Sequence, residues 1–545
     1  MIKSDKRIEG KAVWTVVLLL NVLLFSCVKS KFVPVEHYPD PPPTLVKFLD
    51  GAPNPAIGAE GSVVTYPVTG LKGKEGQFKF FINQTEAEVV EVQEAAVKVK
   101  VPANASTGGA AVLINGEYYF GPTFTVRGKV TMDPLFNADA FRSNGTIEGI
   151  LPVSGNSYLL YGSFSNYNNR ATATKMITGL TLVDVNGAFA GTQLNTGKEG
   201  LNGPVSSVLF TSASKYLVAG SFTKYDTVSN INNLVRLNND GTLETTVVDV
   251  INPDPVAFPD DGKATVPSFN GGTLGSISKL FTDNLGRVIA IGNFQGHIST
   301  FYERSTKAGP YLDRVQVRQL LRMNSDGSFD STFNFNKAEE KSYAGGNGFI
   351  YDAVQLSDGK VVLVGNFSTF SGKTVNYLTA INMETGLPDE SFNNSGSGAD
   401  GAILRITYNK TTRRLLLTGQ FKHYNGQEVN GVVMIKEDGS IDPSFNFRTV
   451  EGGFPNFAGQ LNNGKVLVSG SFTHYNGIVR PGMVILNADG SLAQGYNNLG
   501  LFRGQVNAMI ETPAVAGVPT VILVGSFDRF DNKQVGNLVK FRIEN

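Results

Sequence analysis

One cysteine in 545 residues, at Cys27, leaves no second thiol for an intramolecular disulfide, so no covalent staple can stand in for a packed core. Tryptophan also occurs once, at Trp14, and histidine four times. Net charge is absent as well: 47 Lys and Arg balance 47 Asp and Glu, so no long-range field exists to hold nucleic acid or an anionic surface. No G-x-S-x-G elbow, H-E-x-x-H helix, phosphate loop ending in Gly-Lys-Ser/Thr or G-x-G-x-x-G turn is found, and no catalytic residue is assigned. Glycine, in contrast, reaches 61, and strings such as "VVLVGNF" and "RLLLTGQF" are rich in β-branched and aromatic residues. The expected class is all-β.

The N-terminus reads as an export signal. Lys3, Lys6, Arg7 and Lys11 precede an almost wholly apolar run from Val13 to Phe25, which ends at Leu24-Phe25-Ser26-Cys27. This run falls short of the ~20 residues that a bilayer span needs, which counts against the other reading, an uncleaved anchor. The segment resembles a lipoprotein signal, and the resemblance implies removal of residues 1–26 and lipidation of Cys27 as the link to the membrane. The remaining chain would then hold 43 basic and 45 acidic residues, no tryptophan and no free thiol for catalysis. The stretch "VKSKFVPVEHYPDPPP" within 27–43 is proline-rich and suits an extended tether. Val28-Lys29-Ser30-Lys31 lacks the acidic residues that mark surface export in Bacteroidetes-type lipoproteins. An outer-membrane location is expected, with either leaflet open.

Residues 44–128 carry short alternating runs, among them "GSVVTYPVTGL", "GQFKFFIN" and "AAVKVKVP", separated by Gly, Pro and Asn. They predict a small β-sandwich. Their order, with "VTYPVTG" and later "VKVKVPANASTGGAAVLI", resembles the IPT/TIG immunoglobulin-like module, which implies a spacer or contact domain beside a larger unit.

From 131 to 545 the chain repeats itself. Gly-x-Phe recurs seven times, at Gly162, Gly220, Gly292, Gly365, Gly419, Gly470 and Gly525, at intervals of 51 to 73 residues. Two apolar strands precede each copy, a third follows, and "DSTFN", "DESFN" and "DPSFN" read as a fourth. Four-stranded units in radial repetition predict a seven-bladed β-propeller. The last unit stops after its third strand while "DPLFN" at 133–137 stands before the first as a fourth strand, so this N-terminal segment is expected to close the ring. Through "DGKVVLVGNF" and "LNxDGSxDxSFN" the unit resembles the delta-60 repeat β-propeller family, a likeness that speaks for fold rather than activity.

A feature present in every blade is first a requirement of the blade, so the seven phenylalanines are expected as scaffold. The second aromatics, including Tyr225, Tyr424 and Tyr475, lie further along and are candidate ligand contacts. His423 and His474 occupy equivalent places in consecutive units, but such positions ~12 Å from a seven-fold axis stand ~10 Å apart, too far for joint ligation at ~2 Å. No metal or other cofactor is therefore expected. Departures from the repeat point elsewhere. Long insertions at 253–272, 295–319 and 336–348 all border the third unit and fall on one face of the ring. Phe301, Tyr302 and Tyr311 supply flat apolar surfaces there, while Arg304, Asp313 and Arg314 supply directed hydrogen bonds. The expected function is binding of a polysaccharide, as an accessory to nutrient uptake. A protein-interaction scaffold in an envelope complex is the alternative, and a propeller glycoside hydrolase or lyase the third reading.

Overall fold

A computed structural model describes residues 45–136, 143–153, 157–172, 176–190, 194, 199–211, 214–515 and 518–544. The signal, Cys27 and the tether lie outside them. Among the described residues the protein is all-β apart from two 3-10 turns, and no helix is long and apolar enough to cross a membrane. Phe48 onward packs as one unit.

The N-terminal part is a sheet in which Val63–Thr69, Ala96–Lys100, Thr85–Val92, Phe78–Ile82, Gly108–Ile114, Glu117–Val126 and Ile57–Gly58 are successive neighbours. Two separate sheets were expected; instead Thr85–Val92 serves both halves. Its first residues pair with Phe80–Ile82 and its later ones, from Glu88 to Val92 with a bulge at Val89/Glu91, with Val97–Lys100. A bulge bends a strand sharply, so one continuous sheet curls over its own core. Tyr66, Phe80, Val99 and Phe124 fill that core, each fully buried.

The rest is propeller-like. Among the described residues antiparallel sheets follow one another, numbered one to seven from the innermost strands that begin at Thr146, Val205, Gly272, Ile350, Ile403, Pro455 and Arg503. Alternate residues of each strand face the two neighbouring sheets, and this alternation builds seven apolar clusters, one per interface. The cluster between sheets seven and one contains Ile147, Leu160, Ile522 and Val524, so the array closes on itself. Each Gly-x-Phe ring is buried in such a cluster, a gain of about 1.5–3 kcal/mol per phenylalanine.

The glycines have a steric cause. A second glycine stands at or near the start of each inner strand, at Gly145, Gly203, Gly275, Gly348, Gly401, Gly453 and Gly504, and lies against the last two residues of Gly-x-Phe across the hairpin, while the Gly-x-Phe glycine itself pairs with a residue further along, such as Ile147, Ile350 or Val506. At Gly365 an added Cβ would overlap the Phe349 carbonyl oxygen, and at Gly348 it would overlap the Asn366 side chain. Only a residue without a side chain lets the two backbones meet.

Closure occurs slightly earlier in the chain than the sequence suggests. Val130–Met132 pairs with Phe541–Ile543, and Asp133 N donates to Lys540 O at 2.9 Å. "DPLF" itself is a turn, because Asp133 Oδ1 accepts from Leu135 N and Phe136 N, while Phe136 is buried between sheets seven and one. The same correction applies to the other D-x-x-F segments. The fourth strand shrinks to single bridges at Phe329, Pro388 and Ile441, after which Asp330, Asp389 and Asp442 each accept the N–H two residues on, at 2.9, 2.9 and 3.0 Å. Each carboxylate also meets a cation from its own sheet: Arg322 at 2.7 Å, Lys360 at 2.9 Å, and Arg414.

Burial alone would raise these three carboxyls, but the Thr332, Ser391 and Ser444 donors and the paired cations hold them below the ordinary range. A depressed folded-state pKa gives stability that is present above about pH 4, the unfolded value, and is lost as pH falls through the folded value. The thermal midpoint is expected to stay flat from neutral pH to about 5 and to fall steeply below about 4. A scan of melting temperature against pH checks this; a midpoint that rises on acidification contradicts it.

The N-terminal sheet is fastened to the ring beside sheets six and seven. Asn498 donates to Val130 O at 3.0 Å, its carbonyl oxygen accepts from Thr107 N at 2.9 Å, and Arg480 donates to Asn104 O at 2.9 Å. Arg480 is fully buried, and desolvation lowers its guanidinium pKa to about 10, against the opposing pull of Glu60.

Candidate functional site

The three insertions come together. The strand Val288–Thr300 begins inside sheet three, paired with Leu320–Met323, and runs on out of it to pair with Leu312–Gln316. Gln316 then bridges Lys341 of the third insertion, Ile251, just before the first, bridges Thr306, and Asp261 of the first pairs with Lys307 at 3.0 Å. Segments separated by up to ninety residues thus form one hydrogen-bonded wall on the face predicted for them.

The predicted side chains are distributed differently. Phe301 and Tyr311 close the hairpin tip, ring centroids 6.5 Å apart and edge to face. The Arg304 guanidinium lies over both, at 5.2 and 5.7 Å, so the three pack on each other and stiffen the tip instead of lining a cleft. Asp313 and Arg314 stand exposed on the return strand and line neither cleft described below. Tyr302 alone lines one, and burial raises its hydroxyl pKa.

Tyr225, Tyr424 and Tyr475 are corrected outright as ligand contacts. All three are buried, at 3%, 0% and 1% exposure. Their hydroxyls donate to the carbonyl oxygens of Gly241, Gly439 (2.8 Å) and Gly490 (2.6 Å), in the turn that follows the third strand. Desolvation raises all three hydroxyls, Tyr475 to about 12. Tyr167 makes the same bond to Gly187 O at 2.6 Å, which identifies the second aromatic as a repeated strut. His423 and His474 are engaged locally, Nδ1 of each meeting Asp400 Oδ2 at 2.8 Å and Thr473 Oγ1 at 2.9 Å.

Two clefts flank the hairpin. The larger, about 750 Å³, is lined by Gln295, Gln316, Arg318, Asn336, Glu339, Lys341 and Tyr343. The smaller, about 330 Å³, lies toward the first insertion and is lined by Asn230, Asn232, Thr265, Asn270, Ser299 and Tyr302. In the larger, Lys341 and Glu339 neutralise each other at 2.7 Å, and Asn336 steadies Glu339 at 3.0 Å. Next to Arg318, buried Gln319 ties the return strand to the end of the third insertion, accepting from Gly346 N and donating to Gly348 O, both at 2.7 Å. Arg318 is exposed with a carboxamide-rich neighbourhood, and Tyr343 offers an open ring face. Such a cleft can hold a hydroxyl-rich or carboxylated molecule through planar hydrogen-bonding groups.

None of these cleft residues was singled out from the sequence except Tyr302. The signal that could have found them is the insertion's return strand: Gln316 and Arg318 alternate with Val315 and Val317, which pack inward. A second missed signal is the glycine at or near the start of each inner strand, 17 residues before the Gly-x-Phe glycine in five of the seven sheets.

Four segments, 214–246, 356–392, 412–445 and 461–492, match a family model described as a domain of unknown function (DUF5122) beta-propeller. These segments fall in sheets two, four, five and six, and the match fits the propeller-like fold. Comparison with curated proteins finds no match. Among solved structures, the WD40 beta propeller domain of Doa1 is similar at 13% identity and TM-score 0.39, over 77% of this chain and 98% of that one. An auxiliary nutrient binding protein from Bacteroides thetaiotaomicron is similar at 11% identity and TM-score 0.33, over 90% and 98%. YCF48 bound to D1 peptide is similar at 10% identity and TM-score 0.39, over 76% and 96%.

Proposed function

We propose that the protein is a lipid-anchored binding protein of the cell envelope, in which an IPT/TIG-type Ig-like module and a seven-bladed propeller of the delta-60 kind present the insertion wall to a polysaccharide. The single observation that carries this reading is the joining of three insertions, remote in sequence, into one wall with polar clefts on both sides. A wall serving only to cover an edge would have no need of an open, amide-lined cleft of about 750 Å³. Lipidation at Cys27 would hold this surface at the outer membrane. The reading assigns recognition rather than catalysis.

Calorimetry of the purified chain against a panel of neutral and acidic glycans tests it. Heat is expected from at least one class, and Arg318→Ala is expected to weaken an acidic ligand about ten-fold, the worth of a hydrogen bond to a charged group. Silence across the whole panel at millimolar concentration would sink the reading. A second reading, an envelope scaffold, is favoured by the solvent-facing aromatics of the N-terminal sheet, where Tyr118 and Phe120 lie nearly parallel, 6.2 Å apart, and mostly exposed.

A further inference from the structure

The ring axis carries a second polar assembly, separate from the wall. The innermost strands of sheets one, two, four, five and six each break register once near their start, sheet three does so twice, and sheet seven does so three times, two of them near its start. Side chains at this level cross the axis. Lys279 Nζ of sheet three lies 3.0 Å from Asp352 Oδ1 of sheet four, and Asp352 Oδ2 accepts from Ile406 N of sheet five at 3.2 Å. Arg405 of sheet five donates to Asn507 Oδ1 of sheet seven at 2.6 Å, and Asn507 Nδ2 donates to Glu148 Oε2 of sheet one at 3.2 Å. Tyr161 fills the space that Gly149 leaves by having no side chain, close enough to feel Lys279, Glu148 and Asp352. Two carboxylates and two cations are thus linked in a layer fed by five sheets, Lys279 and Asp352 as an ion pair and Arg405 and Glu148 through Asn507.

Above it, on the face where the insertions project, lies the rim. Each sheet contributes the residue after its opening glycine and the central residue of Gly-x-Phe. None of these fourteen positions is charged, in a chain with 17% charged residues. They are hydroxyls and amides, such as Ser276, Asn293, Gln420 and Gln505, a proline and an alanine, and two phenylalanines. Phe349 and Phe454, on sheets four and six, are 56% and 58% exposed at the open end of the strands nearest the axis. Exposed phenylalanines at equivalent places of a ring are not explained by packing. A rim of amides and hydroxyls set with aromatic faces, above a layer whose charges are linked to one another, matches a ligand that is uncharged, hydroxyl-rich and apolar on its ring faces.

We propose that this axial rim is a binding site for the uncharged terminal residues of an oligosaccharide, with Phe349 and Phe454 as stacking surfaces and Asn293, Gln420 and Gln505 as hydrogen-bonding partners. The site is distinct from the clefts of the wall and rests on the glycan reading only for the class of ligand.

The test is calorimetry of the full chain with neutral hexasaccharides (maltohexaose, cellohexaose, xylohexaose, mannohexaose) at low and high salt. Binding that is insensitive to salt is expected, weakened about ten-fold in the double variant Phe349→Ala/Phe454→Ala, since both stacking surfaces are then lost. The double variant should melt with the parent because both rings are exposed. Neutral-sugar binding that survives the double variant overturns the axial site. No neutral sugar bound by the parent overturns it too, while acidic-glycan binding through Arg318 would leave the proposed function standing.

Discussion

Gly365→Val is expected to unfold the propeller rather than perturb it. The new Cβ would overlap the Phe349 carbonyl oxygen and stand 3.0 Å from both the carbonyl carbon and the Phe367 ring. Two of these three obstacles are main-chain atoms held in the inner hairpin of sheet four, where Ile350 pairs with Gly365, so no rotamer change relieves the clash. Overpacking a core costs about 1–3 kcal/mol where side chains can move, and a backbone obstacle puts this site at or above the upper end. That is a large share of the about 5–15 kcal/mol that separates folded from unfolded protein. Sheet four also cannot be lost alone, because its two faces complete the clusters shared with sheets three and five. Urea titration followed by circular dichroism should show a midpoint far below the parent or no soluble protein. Asn293→Ser, exposed in the middle of the same motif one sheet earlier, should stay within about 0.5 kcal/mol. A Gly365→Val protein as stable as its parent would show that the Gly-x-Phe glycine is not a steric requirement.

Arg322→Ala is expected to cost about 3–5 kcal/mol, the range for breaking a buried charge pair from one side. Arg322 is 2% exposed and each nitrogen of its guanidinium is engaged. Nε donates to Asp330 Oδ2 at 2.7 Å, Nη1 to Met383 O of the next sheet at 2.7 Å, and Nη2 to Thr332 Oγ1 at 3.1 Å. Its plane also lies 4.5 Å from the Phe333 ring centroid. Alanine leaves a cavity, an orphaned carbonyl and a buried carboxylate with only the more distant Arg287, 3.3 Å away, in place of its main partner. Arg322→Lys should recover only part of the loss, because an ammonium cannot reproduce the planar fork that reaches three acceptors. Thermal melts of the two variants decide the matter: a lysine variant as stable as the parent would reduce Arg322 to a point charge.

Much of the scaffold was legible because repetition averages out local ambiguity. One copy of "LVSGSF" is a short apolar run with no assignable partner, while seven copies with a conserved order of strands leave few arrangements able to bury them all. The phenylalanines of Gly-x-Phe were read correctly on that ground. The tyrosines three residues further on repeat almost as well, yet Tyr225, Tyr424 and Tyr475 were taken for contacts, since a hydroxyl on a loop reads as polar and exposed until its acceptor is known. That acceptor is a glycine carbonyl 15 or 16 residues away, on the other side of the third strand. The D-x-x-F segments misled in the opposite sense. Their apolar ring suggested a strand, but the aspartate captures the backbone N–H groups that a strand would need for its ladder.

The sequence alone determined the all-β class, the recurrence of the unit, the buried phenylalanines and the clustering of insertions beside the third unit, since each depends on residue types at fixed spacing and is carried by local sterics and burial. Tertiary structure decided which side chains share a cleft, that Phe301, Arg304 and Tyr311 occupy one another, and that Glu148, Lys279, Asp352 and Arg405 meet across the axis. Those meetings join residues up to 257 positions apart in the chain, and no periodicity encodes them. They exist only because a closed ring brings equivalent strand ends to a common centre, where the few positions that differ from sheet to sheet are set against each other.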